Sequence, residues 1–264
     1  MNLFFRELKA NRKALIIWSI CMVIGVLSGM SKYTTYSSGG AASAALMALP
    51  HTIRAVFGMG SFDVASMSGF YAFLFSYIEL AVAVHAALLG STIIAKEERD
   101  KTTEFLMVKP ISRARVITAK LLAALVNLIL LNLVTLLSSV FFVAAYNKGK
   151  DITGEIILFC VTLLVVQLVF LSLGALLAAV LRHSKASGAV ATSVLFGAYI
   201  IAKVTDITTH LNVLNILSPF KYFDAADIVR GEGIGAWPVI LSLALAGLFA
   251  AAAYYFYTKR DLSI

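Results

Sequence analysis

The sequence predicts an all-α polytopic membrane protein with six transmembrane helices, and three observations carry that prediction. Of the 264 residues, 60% are hydrophobic and 14% are charged, against about 25% charged in a soluble domain. The mean hydropathy is +0.90. Apolar runs near the roughly 20 residues needed to cross a bilayer recur six times. They fall at about residues 14–30, 70–95, 119–146, 155–181, 187–203 and 237–257, and residues 1–264 read as a single transmembrane domain.

Taken in order, residues 1–13 set Leu3, Phe4, Phe5 and Leu8 beside Arg6, Lys9, Arg12 and Lys13, the pattern of an amphipathic helix lying in the headgroup layer. No cleavable signal is evident, so the first apolar run reads as a retained span. Residues 32–69 form a long, weakly charged connection. In it Leu46, Leu49, Ile53, Val56 and Phe57 fall at helical spacing, with Gly58 as a C-cap. A polar loop at 147–151 joins spans three and four, and Arg182, His183, Ser184 and Lys185 make a tight basic turn before a short fifth span. The second long connection, 206–236, has enough apolar residues to dip into a membrane and too many polar ones to cross it. Trp237 at one end of the last span and Tyr254, Tyr255 and Tyr257 at the other suit an aromatic belt.

The block at residues 96–120 separates spans two and three. Seven basic residues (Lys96, Arg99, Lys101, Lys109, Arg113, Arg115, Lys120) and four acids (Glu97, Glu98, Asp100, Glu104) surround an apolar stripe of Phe105, Leu106, Met107 and Val108. A stripe inside a charged frame predicts a short helix at the interface or packed on a partner. Pro110 ends that piece, and Ser112 is a good N-cap for the helix that follows. With the N-terminus inside, the inner segments hold fifteen Lys and Arg and the outer ones seven, which places both termini in the cytoplasm.

Several functions are disfavoured. The net charge of +8 suits anionic lipid rather than nucleic acid, because the basic residues cluster at span ends without interleaved aromatics. Cys21 and Cys160 both lie in apolar runs and form no disulfide framework. There is no G-x-x-x-x-G-K-[ST] phosphate loop and no H-E-x-x-H, and His51, His85, His183 and His210 are scattered. Glu97 and Glu98 resemble the paired glutamates of some intramembrane proteases, but the ligand set is missing. No catalytic residue and no metal site are expected.

Glu79 and His85 are the ionisable residues of span two and the candidate polar site there, with Glu79 read first as a group near the outer interface hydrogen-bonded to a neighbouring helix and second as an ion site. Six positions at about 100° each send them to separate faces. Asn127, Asn132 and Gln167 read as interhelical hydrogen-bonding groups. Gly174 and Ala175 with Ala178 and Ala179, and Gly247 with Ala251, permit close helix approach, within the chain or at a dimer seam.

Glu98, Lys101, Thr102, Glu104 and Leu106, followed by Pro110, Ile111, Ser112, Arg113 and Lys120, resemble the signature of the ABC-2 type transporter permeases; Lys101 stands where that family usually has glycine. The resemblance implies that Glu97, Glu98, Thr102, Glu104, Phe105, Leu106, Pro110, Ser112 and Arg113 form a cytoplasmic coupling helix that docks on a separate ABC ATPase subunit. ATP and Mg would be bound there, and no cofactor in this chain. It further implies a second permease copy or paralogue, membrane lipid as surroundings, and a bacterial or archaeal plasma membrane. The stretch around Pro50, His51 and Arg54 resembles the family's extracellular amphipathic helix. Pro219, Phe220, Tyr222 and Phe223 resemble its re-entrant hairpin at the outer end of the translocation path. The expected function is that of an ATP-driven exporter's permease, with substrate unspecified. The rivals are an ion-coupled secondary transporter titrating Glu79 and His85, and a non-transporting scaffold or sensor subunit.

Overall fold

The computed structural model describes residues 3–37, 44–45, 48–59, 63–100, 112–147, 149, 151–181 and 186–259. Six of its helices are long and apolar enough to cross a membrane: α1 (Leu3–Met30), α4 (Met67–Arg99), α5 (Arg113–Tyr146), α6 (Thr153–Val180), α7 (Ser187–Ile207) and α9 (Ala236–Lys259). Among the described residues, short helices between them include α2 (Tyr33–Ser37), α3 (His51–Val56) and α8 (Ala225–Val229), with 3₁₀ turns at Thr209–Leu217 and Pro219–Lys221. No strand occurs among the described residues. In a lipid solvent this is the expected economy, because a helix satisfies its own backbone polar groups.

The long helices alternate in direction, so one end of the bundle gathers the starts of α1, α5 and α7 and the ends of α4, α6 and α9. Arg113 at the start of α5 donates to the Thr258 carbonyl near the end of α9 at 3.3 Å, which fixes that end. Helices α4 and α5 have 33 and 34 residues. At 1.5 Å per residue each is about 50 Å long, some 20 Å more than the hydrocarbon core. Both therefore project past the apolar layer, on the side that carries residues 96–120.

No break separates residues 3–13 from the first span. With neither glycine nor proline between Leu3 and Ile24, nothing stops the helix, and α1 runs straight through. The expected interfacial helix is thus the first three turns of a longer rod.

Helices α4 and α6 form the centre. A Cβ built on Gly90 would lie 2.1 Å from the Leu171 carbonyl oxygen, and one built on Gly174 would lie 2.3 Å from that of Ala87. The two backbones touch where neither has a side chain, so Gly174 is spent on packing within the chain. Gly247 on α9 has nothing within 4 Å. On one side of this crossing the core is built from Ala86, Ile93, Ile117, Phe170 and Ala178. On the other, Phe75 packs on Phe159 with ring centroids 4.6 Å apart and Tyr71 on Phe159 at 5.7 Å. Asn132 of α5 donates to Gln167 of α6, as expected of interhelical groups, whereas Asn127 bonds the Ala123 carbonyl of its own helix at 2.7 Å. Helices α1 and α9 lie at the periphery and turn Ile16, Ile17, Ile20 and Ile24, and Ile240, Leu243 and Leu248, outward, the faces a lipid solvent covers. Tyr255 is exposed and Tyr257 buried, so the tyrosines of the last span divide between the surface and the bundle.

Overpacking of this kind costs roughly 1–3 kcal/mol. Gly90→Ala and Gly174→Ala are each expected to lower the unfolding temperature in detergent, while Gly247→Ala leaves it within error. Equal behaviour of all three variants would contradict the crossing.

Candidate functional site

Residues 101–111 lie outside the described residues, and with them Thr102, Glu104, Phe105, Leu106 and Pro110. The structure does place both stumps of the segment. On the incoming side α4 continues through Glu97 and Glu98 to Arg99, and the Asp100 N–H closes the last turn on the Lys96 carbonyl at 2.9 Å. On the outgoing side Ser112 caps α5, its Oγ accepting from the Arg115 N–H at 3.3 Å. The restart after Pro110 is where the capping chemistry predicts it.

Between the stumps lies a buried knot of charge. Lys120, 0% exposed, donates from Nζ to Glu97 Oε2 and to the Ile93 carbonyl. The other oxygen of Glu97 faces Arg6 Nη2 at 3.4 Å. Arg6 also pairs with Glu7 at 3.1 Å, and Glu7, likewise 0% exposed, faces Lys96 Nζ at 3.5 Å. Five charges from α1, α4 and α5 therefore interlock, with Arg6 and Lys96 partly open to solvent. Taking an ion out of water costs several kcal/mol unless its partners replace the hydration. Here each buried charge has an opposite partner, so the knot holds only when all three helices are in register. Glu97 is turned inward and serves as a tie. Glu98, next to it, is half-buried on the last turn. Arg113 reaches across to α9, and Thr118 and Tyr254 share a hydroxyl hydrogen bond that ties α5 to α9 again.

The intramembrane pair divides as the helical spacing requires. His85 packs edge-on to Trp18 of α1 with centroids 5.2 Å apart. Glu79 instead lines a cavity of about 260 Å³ in the opposite half of the bundle. The cavity walls come from α4, α6, α7 and the segment after α7, and include Lys203, Asp206 and Lys221. Asp206 accepts from Lys221 Nζ at 2.5 Å and faces Lys203 Nζ at 3.7 Å. Gly58 closes one side in the left-handed conformation (φ +75°), and a Cβ there would stand 2.7 Å from Ser76 Oγ and 3.3 Å from Lys203 Nζ. The Met59 N–H reaches back to the Arg54 carbonyl at 3.0 Å, the long bond of a glycine C-cap. Tyr77 donates to the Phe57 carbonyl at 3.1 Å and pins this turn to α4.

The segment after α7 folds back into the bundle. Ser218 Oγ donates to the Ala198 carbonyl at 2.8 Å, which lies about 13 Å down the axis from the end of α7 at 1.5 Å per residue. Pro219 and Phe220 are buried, the Phe220 ring standing 5.1 Å from Phe170 and 5.5 Å from Tyr199. Tyr222 donates to the Ile216 carbonyl at 2.6 Å, and Phe223 faces the cavity. Sequence reasoning singled out the four ring residues of this segment and missed Lys203, Asp206 and Lys221. Lys203 and Asp206 at i, i+3 were the available signal; the partnership with Lys221, fifteen positions on, was not.

Removing one partner from a buried ion pair costs roughly 3–5 kcal/mol, because the other is left uncompensated. Lys120→Met is therefore expected to destabilise the folded chain by about that amount in denaturant unfolding, and Glu97→Gln by a similar amount. The double variant should recover more than about 1 kcal/mol relative to the sum. Additive losses would show that the two side chains act separately.

The described residues thus form a bundle with six helices long and apolar enough to cross a membrane, and α4 and α5 are tied by ion pairs at the ends that flank residues 101–111. A family model described as ABC-2 family transporter protein matches residues 1–262. No curated protein matches the chain significantly. Since the match spans almost the whole length, the chain belongs to the ABC-2 transporter family and is a transmembrane transport permease.

Proposed function

We propose that the chain is the membrane subunit of an ATP-driven exporter, moved by a separate ATPase that docks on residues 98–113. The family membership and the knot at Glu97 and Lys120 support this reading together. A docking segment transmits force only if its base is stiff, and here the base is three helices tied by five charges. In this reading the knot side of the bundle faces the cytoplasm, in line with the excess of Lys and Arg there. Glu98, Thr102, Glu104, Phe105, Leu106 and Arg113 meet the ATPase, while Glu97 passes the push from α4 to α1 and α5. The returning segment at Ser218 and Phe220 re-enters the membrane from the outer side, and a second permease copy or paralogue completes the translocation path. Transport chemistry lies in the ATPase, where ATP and Mg bind.

Glu79 favours a second reading, an ion-coupled carrier, because an ionisable group on an intramembrane cavity is the usual mark of an ion path. Co-purification separates the two. The exporter subunit is expected to retain an ATPase in mild detergent, and Glu104→Arg and Arg113→Glu to release it with loss of ATP-dependent transport. Retention of the ATPase and of full transport by both variants would sink the docking assignment. Transport by the chain alone, abolished by Glu79→Gln, would establish the carrier.

A further inference from the structure

The cavity beside Glu79 has a division of charge that neither the fold nor ATPase docking requires. Glu79 comes from α4 and takes part in no hydrogen bond or ion pair within 4 Å among the described residues, although it lines the cavity. Lys203 comes from α7 and Lys221 from the returning segment, and both lean on the single carboxylate of Asp206. An ammonium carries three donors, so one shared carboxylate leaves donor capacity on both lysines. Asp224, also on the wall, accepts from the Ala226 N–H at 2.8 Å as a cap and keeps its charge, so the wall holds three carboxylates and two ammoniums. The cavity thus presents an unfilled acceptor on one element and under-filled donors on two others. Partly buried charges with incomplete sets of partners are costly to maintain.

We propose that this cavity binds a small zwitterion: a primary amine held by Glu79 and a phosphate or carboxylate held by Lys203 and Lys221. Each alternative of single charge meets a like charge in the wall. A simple cation at Glu79 faces two ammoniums, and a simple anion at the lysines faces Glu79, Asp206 and Asp224. A ligand carrying both signs, amine toward α4 and anion toward α7, sets each of its charges against an opposite one. Size agrees. About 260 Å³ is the room of roughly eight or nine waters at about 30 Å³ each, and it falls below the range of drug-sized pockets. It suits an amino-acid-sized molecule or the headgroup of an aminophospholipid. The rings of Tyr199 and Phe223 on the wall would cover the methylenes between the two charges. Lys203 already stands 5.3 Å from the centroid of Tyr199. This site does not depend on the ATPase reading, because it lies within one chain and is filled or empty without a motor.

The test uses the full chain in phosphatidylcholine nanodiscs. Three probes are titrated: short-chain phosphatidylethanolamine, free O-phosphoethanolamine and short-chain phosphatidylglycerol, which has the phosphate without the amine. Affinity is read by native mass spectrometry and by the shift in unfolding temperature. Phosphatidylethanolamine is expected to bind about tenfold or more tightly than phosphatidylglycerol, the worth of one charge-assisted hydrogen bond. Glu79→Gln should erase that preference, and Lys221→Gln should weaken binding of both lipids. If free phosphoethanolamine competes with the lipid, the headgroup alone is the ligand; if only the lipid binds, the membrane is the source. Equal binding of the two lipids by the unaltered protein, or binding of neither amine probe, overturns the proposal. That comparison needs no variant, so it decides the matter even should Glu79→Gln fail to fold.

Discussion

Helix α4 has to lie against α6 at the distance its glycines set, and the rest of the bundle is arranged around that contact. With Gly90 against Leu171 and Gly174 against Ala87, two backbones approach more closely than any side chain allows. In lipid there is no hydrophobic force between apolar helices, so packing and hydrogen bonding must hold them together. The close crossing supplies much of the first, and Asn132 with Gln167 part of the second. Helix α6 is the most deeply buried of the six spans and α9 the least, which is the order expected when one pair forms the centre and the others are laid on it.

What α4 then carries at its two ends differs in kind. Toward residues 96–120 it brings Lys96 and Glu97 to a set of ion pairs in which every buried charge is matched. Toward the other end it brings Glu79 to a cavity in which the charges are not matched one to one. The first arrangement suits a rigid joint, since a paired interior charge tolerates little displacement. The second suits a site that exchanges its contents, since its donors and acceptors are only partly used.

The six spans and the new helix at Ser112 were legible because they depend on local chemistry: runs of apolar residues, a proline, and a serine whose hydroxyl can cap. The separation of Glu79 from His85 was also legible, because helical geometry alone dictates it. The charge knot was not. Arg6 and Glu7 look like part of a solvated basic helix, and only tertiary folding brings them to Glu97 and Lys120, some ninety and more positions away. The one local hint was Lys120, a lysine at the boundary between the charged block and the third apolar run, flanked by Val116, Ile117 and Leu121. The continuity of α1 was missed because its charge pattern suggests a boundary that its backbone, lacking any breaker, does not make. The cavity lysines were hidden for a different reason. They lie at the edge of a span and in a connection, where a lysine ordinarily snorkels to water; the fold-back at Ser218 encloses them instead.

The tight crossing also sets the leverage of α4. Measured along the helix at 1.5 Å per residue, Gly90 is about 10 Å from Glu97 and about 16 Å from Glu79. A straight rod pivoting at that point behaves as an unequal see-saw. Any sideways travel of the Glu97 arm appears at Glu79 in the reverse direction and enlarged about 1.6-fold.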